Sequence, residues 1–193
     1  MTVNTQSDAT YVILVDKEDN DIGMMEKMEA HRVPLLHRAV SVFVTNSKGE
    51  WILQQRAWGK YHSKGLWTNT CCSHPYPGET SLVAAHRRLV EEMGIECPLK
   101  EVFCFVYKEP VDDELIEYEF DHVFVGVSDD IPKLNCDEVS DWKAISFSDL
   151  DKDIRSFPDL YTVWFRKLYQ QVCEFQQRGE GEEPRTIIDM LNF

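Results

Sequence analysis

The sequence predicts one layered domain of mixed helix and strand, an α/β or α+β fold. Three observations lead there. A chain of 193 residues that is 43% hydrophobic can bury one good core and is short for two. Short β-rich runs separated by turn formers recur along it. Two segments, 80–93 and 159–177, instead carry apolar residues at helical spacing. No repeat or Pro/Gly/Ser-rich linker marks a boundary, so 1–193 is read as one domain, with about nine N-terminal and about twenty C-terminal residues loose.

In chain order, YVILVD (11–16) reads as a strand, followed by the turn KEDND and a short helical MMEKMEAH segment. AVSVFVT (39–45) and WILQQR (51–56) flank the turn formers 46–49 and predict a hairpin. WTNTCC gives a further extended piece. Leu82, Ala85, Leu89 and Met93 recur at helical spacing, with Gly94 as the stop. VFCFVY (102–107) and IEYEFDHVFVGV (116–127) predict paired strands around an acidic loop, KEPVDDE. VSDWKAIS reads as a strand, 159–177 as an amphipathic helix, and RGEGEEPRT as a loose charged tail.

Lys plus Arg total 20 against 34 Asp plus Glu, a formal charge of -14, which repels nucleic acid on average. A small anionic ligand stays open, because a few local cations or a bound metal can reverse the sign inside a pocket. The N-terminus lacks a basic segment followed by an apolar run, and nothing approaches 18 consecutive apolar residues, so a cytoplasmic protein without a membrane partner is expected. The six cysteines have no regular spacing, which favours reduced thiols. A ring closed between Cys71 and Cys72 would be strained. Nothing in the sequence demands an oligomer, and there is no Gly-rich dinucleotide loop, so a monomer without flavin or nicotinamide is expected.

Chemistry concentrates in four places. If TNTCCSHP (68–75) is extended, Cys72 and His74 share one face while Cys71 and Ser73 share the other. Glu117 and Glu119 likewise share a face, where paired carboxylates suit a metal or acid/base work, although an isolated pair is more often a solvated strand face. His31 and His37 flank a proline-containing turn, and with His74 and the two glutamates they offer mixed N/O ligation suited to Zn, Mn or Mg. Arg87 with Glu91 and Arg88 with Glu92 are i,i+4 pairs on the 80–93 helix.

That helix resembles the Nudix box, G-x5-E-x7-R-E-U-x-E-E-x-G-U, with Glu79, Arg87, Leu89, Glu91, Glu92, Gly94 and Ile95 in register. It departs at Ser73 for the first Gly and at Arg88 for the first Glu, which puts pyrophosphate hydrolysis in doubt. With Glu26 through His37, Gln55-Arg56-Ala57, Trp67 through Pro75 and Glu117 through Glu119 added, the chain resembles the type I isopentenyl-diphosphate delta-isomerases over about residues 10–165. The resemblance implies a Nudix-type α/β/α sandwich with a mixed sheet. It implies conversion of isopentenyl diphosphate to dimethylallyl diphosphate in isoprenoid biosynthesis, with Cys72 and Glu119 as proton carriers and Tyr107 in relay with Glu119. It further implies one divalent ion (Mn2+, Mg2+ or Zn2+) on His31, His37, His74, Glu117 and Glu119. A second ion, Mg2+, would bridge the diphosphate, the Glu92 carboxylate and the Cys72 carbonyl. Lys27, Arg56, Lys60, Ser73 and Arg88 fall where the family contacts diphosphate, and Tyr107 and Trp164 where it lines the hydrocarbon pocket. A packed helix-face aromatic is the plain alternative for Trp164. Two other functions remain in view: a Nudix pyrophosphohydrolase of nucleotide derivatives, and a non-catalytic metal or diphosphate binder.

Overall fold

The structure, a computed structural model, describes residues 10–112, 114–178 and 185–188. Ten strands join in one mixed sheet with the path β10-β7-β8-β3-β1-β2, and β4, β5, β6 and β9 branch from β3 and β4. The strands are β1 (Tyr11–Val15), β2 (Asp21–Glu26), β3 (His37–Thr45), β4 (Trp51–Arg56), β5 (Trp67–Thr68), β6 (Cys71–Ser73), β7 (Leu99–Asp112), β8 (Leu115–Val127), β9 (Val139–Ile145) and β10 (Arg185–Ile188). The helices are α1 (Lys27–Arg32), α2 (Ser81–Met93), α3 (Phe147–Ser156) and α4 (Val163–Arg178).

Alternation along β3 and β8 builds the sandwich. Val40, Val42, Val44 and Phe124 point to one face and pack with Ala84, Ala85, Leu89 and Met93 of α2. Phe43 and Val123 point to the other and pack with Leu150 and Ile154 of α3 and Phe165, Leu168 and Val172 of α4. The predicted α/β/α arrangement is therefore present. The helix predicted over 80–93 begins at Thr80, whose Oγ accepts from the Val83 amide at 3.3 Å. It ends at Gly94, which takes a left-handed φ of 62° and donates to the Val90 carbonyl. A Cβ there would stand 2.8 Å from the Lys133 Cβ, so glycine is required twice over.

Several elements differ from the sequence reading. Met24, Met25 and Glu26, good helix formers, lie in strand β2, because pairing with β1 from Tyr11↔Glu26 to Leu14↔Gly23 overrides propensity. Only 27–32 of that segment is helical. WTNTCC is two short strands broken at Asn69-Thr70 rather than one. The acidic loop shrinks, since β7 continues to Asp112; Pro110 is tolerated where β10, paired only with Phe103 to Val106, no longer borders β7. Helix α3, capped by Ser146, went unread because only Leu150 and Ile154 of its ten residues are buried. Within the predicted loose tail, Arg178 ends α4 and residues 185–188 form β10, parallel to β7; residues 179–184 and the loose N-terminal nine lie outside the described residues. Among the described residues no helix is long and apolar enough to cross a membrane.

Candidate active site

The sheet brings the predicted ligands together. Glu119 sits on β8 with His37 of parallel β3 as its register partner on one side and Tyr107 of antiparallel β7 on the other. Two residues earlier on the same face is Glu117. Helix α1 delivers His31, and the chain leaving β6 delivers His74. One ligand atom from each of His31, His37, His74, Glu117 and Glu119 lies within 4.8 Å of all the others.

Whether this cluster fits a metal can be read from its hydrogen bonds. His31 Nδ1 donates to the Lys27 carbonyl at 2.6 Å and His37 Nδ1 to the Leu35 carbonyl at 2.8 Å. A carbonyl only accepts, so both protons are fixed on Nδ1 and both Nε2 atoms present lone pairs. Those Nε2 atoms and Glu117 Oε2 are buried without a hydrogen-bond partner. Orphaned buried acceptors that converge are costly unless a cation satisfies them, and three imidazoles with two carboxylates suit a divalent ion. Burial holds His37 down to about 4, and burial together with Lys27 holds His74 well below its ordinary value. Neutral imidazole is the ligating form.

Beside this cluster lies a cavity of about 180 Å³ whose lining includes the cations Lys27, Arg56, Lys60 and Arg88 together with Cys72, Tyr107, Glu119 and Trp164. Burial, then the charge of Lys60, brings Lys27 down to about 8, a sign that cations are crowded here against their mutual repulsion. Such a group suits a multiply charged anion. Ser73 also lines the cavity. Arg56 spans it, with its guanidinium carbon 5.3 Å from the Trp164 ring centroid and Nη1 3.8 Å from Cys72 Sγ. Trp164 thus belongs to the cavity wall as well as to the core, and its buried Nε1 has no partner.

Cys72 and Glu119 enter the cavity from either side of β3, on β6 and β8. Burial pushes the Cys72 thiol up to about 12, so it carries its proton at neutral pH. Burial, then the neighbouring Glu117 and Asp121 carboxylates, push Glu119 well above the usual carboxylate range. Tyr107 donates to Glu119 Oε2 at 2.5 Å. Cys71, one residue away, is fully buried against α2 on the opposite face, and all six cysteines are unpaired.

Comparisons with known proteins show the family. The NUDIX domain family matches residues 35–166. The chain is 52% identical over 171 residues to "Isopentenyl-diphosphate Delta-isomerase 2" of Photorhabdus laumondii, covering 86% of this chain and 97% of that protein. The chain belongs to the isopentenyl-diphosphate delta-isomerase family. A second member, from Pectobacterium atrosepticum, is 47% identical over 91% of this chain and 98% of its own length. Among solved structures, a MutT protein from Methanosarcina mazei superposes with a TM-score of 0.59 at 20% identity, covering 76% of this chain and 96% of that one, a likeness of fold alone.

In this isomerase the Nudix-box helix departs from a hydrolase-like arrangement in its contacts as well as its letters. Arg88 donates to Glu91 at 2.8 Å, to Glu92 at 2.6 Å and to Glu138 at 3.1 Å. Glu92, buried, also accepts from Gln54 at 3.0 Å. The helix therefore presents a braced cation where the box has its first carboxylate. Both anticipated i,i+4 pairs form, and Arg87 additionally grips Glu79 through two bonds.

Three site residues escaped the sequence reading. His62, buried, places Nε2 2.8 Å from Glu117 Oε1 and packs edge-on to Trp164. Tyr61 lies under Lys27, whose Nζ is 4.5 Å from its ring centroid. Both come from the loop GKYHSKG, which has no periodicity to read. Glu138 joins Lys60 and Arg88 across 50 or more residues, a contact visible only in three dimensions. These two cations hold Glu138 at about 2 against the opposing effect of burial, below its ordinary 4.5. The unfolded chain therefore takes up this proton first as pH falls, and stability is lost between about 4.5 and about 2. Glu138→Gln should flatten that part of the acid-unfolding profile, measured by chemical denaturation at stepped pH; an unchanged slope would contradict the pairing.

Proposed function

We propose that the chain moves the double bond of isopentenyl diphosphate to give dimethylallyl diphosphate by adding a proton on one side of the alkene and removing another from the opposite side, with Cys72 and Glu119 as the two carriers. The observation that carries this reading is that a thiol and a carboxyl, from strands on either side of β3, line one small cavity, where one can give a proton while the other takes one. One residue cannot serve both faces of an alkene. Tyr107, bonded to Glu119 Oε2, fixes that carboxyl and offers it a proton route.

The substrate's two parts match two kinds of residue in the cavity lining, cationic and aromatic. Lys27, Arg56, Lys60, Ser73 and Arg88 take the diphosphate, and Trp164 and Tyr107 face the hydrocarbon. Addition of a proton leaves tertiary cationic character that water would capture, and the aromatic wall both excludes water and stabilises charge. A desolvated cation-π contact contributes about 2 kcal/mol and acid/base catalysis about 10² to 10⁴-fold in rate, against the roughly 8 to 23 kcal/mol enzymes commonly supply. Positioning through the diphosphate and exclusion of water supply the remainder.

His31, His37, His74, Glu117 and Glu119 would hold one divalent ion, Mn2+, Mg2+ or Zn2+. When bound, it supplies positive charge that offsets the buried carboxylates and polarises Glu119. The Glu92 carboxylate and the Cys72 carbonyl would hold a Mg2+ that supplies charge to the diphosphate, and each Glu92 oxygen keeps a lone pair beside its bond from Arg88 or Gln54. Exhaustive chelation should abolish isomerisation and readdition of divalent metal should restore it, measured on isopentenyl diphosphate by product analysis. Full turnover by metal-free protein would contradict the assignment. Phosphate release from nucleotide derivatives under the same conditions would favour a hydrolase instead.

A further inference from the structure

A second convergence of ligating side chains lies on the opposite face of β8 from Glu117 and Glu119. Cys104 of β7 and His122 of β8 are register partners, with Sγ 3.5 Å from Nδ1. Glu101 would ordinarily point the other way, being three residues from Cys104. A bulge between Glu101 and Phe103 adds one residue to β7, so Glu101 pairs with Phe124 and turns to the face of His122. Its Oε1 then lies 2.7 Å from His122 Nδ1 and 3.4 Å from Cys104 Sγ.

The other imidazole nitrogen, Nε2, lies 3.0 Å from Asp19 Oδ2 in the β1-β2 turn. Asp19 is itself fixed, because Arg38 donates to its Oδ1 at 2.7 Å and to its carbonyl at 2.6 Å. A carboxylate behind a histidine, with a thiol and a second carboxylate in front of it, is the arrangement of a ligand set with its orienting partner. One ligand atom from each of Glu101, Cys104 and His122 lies within 4.8 Å of the others. None of these residues lines the cavity described above.

We propose that Glu101 Oε1, Cys104 Sγ and His122 Nδ1 form a second metal site, selective for Zn2+, with Asp19 as the positioning residue for His122. Thiolate with imidazole and carboxylate favours zinc over Mg2+, which avoids sulfur. Three protein ligands leave a fourth position for water. On binding, the Nδ1 and Sγ protons leave to solvent while His122 Nε2–H keeps donating to Asp19 Oδ2. Glu101 and Cys104 are both partly exposed, which gives the ion an entry path. The site ties the tip of the β1-β2 hairpin to the central strands.

Co2+ titration into purified protein tests this, because thiolate ligation gives a near-ultraviolet sulfur-to-cobalt charge-transfer band that an all-N/O site does not. The band should appear in the wild type and in Cys72→Ala and be absent from Cys104→Ser. Asp19→Asn, which leaves all three ligands, should weaken cobalt binding read from that band by about 10 to 100-fold. If Cys104→Ser fails to fold, Glu101→Gln should lower the same affinity at least tenfold, on the order of losing a metal contact. No band in the wild type, a band that survives Cys104→Ser, or unchanged affinity in Asp19→Asn and Glu101→Gln would overturn the site.

Discussion

Replacing Cys72 by alanine should lower the rate of isopentenyl diphosphate isomerisation by at least about 10² to 10⁴-fold, the contribution of one positioned proton carrier. The protein should remain folded, since Cys72 sits at the margin of the core and loses a single atom. Metal content should not change, because none of the five clustered ligands is touched. The neighbouring thiol provides an internal control. Cys71 is buried against α2 on the other face, so Cys71→Ala should keep turnover and show its effect in stability instead. Steady-state kinetics and thermal unfolding of the pair separate the two. Full activity in Cys72→Ala, or equal loss of activity in both, would contradict the assignment.

Glu119→Gln should be at least as damaging, and in two measurable ways. The amide cannot carry the proton, and it removes one of two negative charges facing His37 and His74, so kcat should fall about 10² to 10⁴-fold and metal affinity should fall with it. His37→Gln provides the comparison, since it removes a ligand and leaves both proton carriers. Excess divalent metal should restore much of the turnover of His37→Gln and none of that of Glu119→Gln. Recovery of Glu119→Gln by metal alone would reduce Glu119 to a ligand and remove it as a proton carrier.

What the sequence made legible follows the reach of each signal. Helical spacing identified α2, which buries one face, and β-rich runs between turn formers identified β3, β4 and β8, which are largely buried on both faces. The i,i+2 rule placed Glu117 and Glu119 on one face, as β8 has them. It was less apt for TNTCCSHP, where β6 spans only Cys71–Ser73 and Cys72, Ser73 and His74 all border the same cavity. Residue chemistry offered the five His and Glu residues as a candidate mixed N/O set, and the resemblance to the isomerases implied that they share one ion. Composition could not have done so, since α1, β3, β6 and β8 meet only in the folded chain. His62, Tyr61 and Glu138 carried no local signal at all. Helix α3 and strand β2 were hidden for a related reason: one buries two residues in ten, and the other is an exposed hairpin arm whose letters favour helix.

Arg88 shows how structure adds meaning to a departure in a motif. In the sequence it reads as a lost carboxylate. In the fold it is a cation held by Glu91, Glu92 and Glu138 and aimed at the cavity that Lys27, Arg56 and Lys60 share. A site that gathers four cations beside aromatic side chains favours anchoring a diphosphate over cutting it.

The central claim, proton addition and removal by separate residues, is tested most directly by running the wild-type reaction in D2O and locating the label at early conversion. The account predicts dimethylallyl diphosphate with solvent deuterium in the methyl group formed from the original alkene terminus. Product formed at full rate without solvent deuterium would mean an internal hydrogen shift and would contradict it.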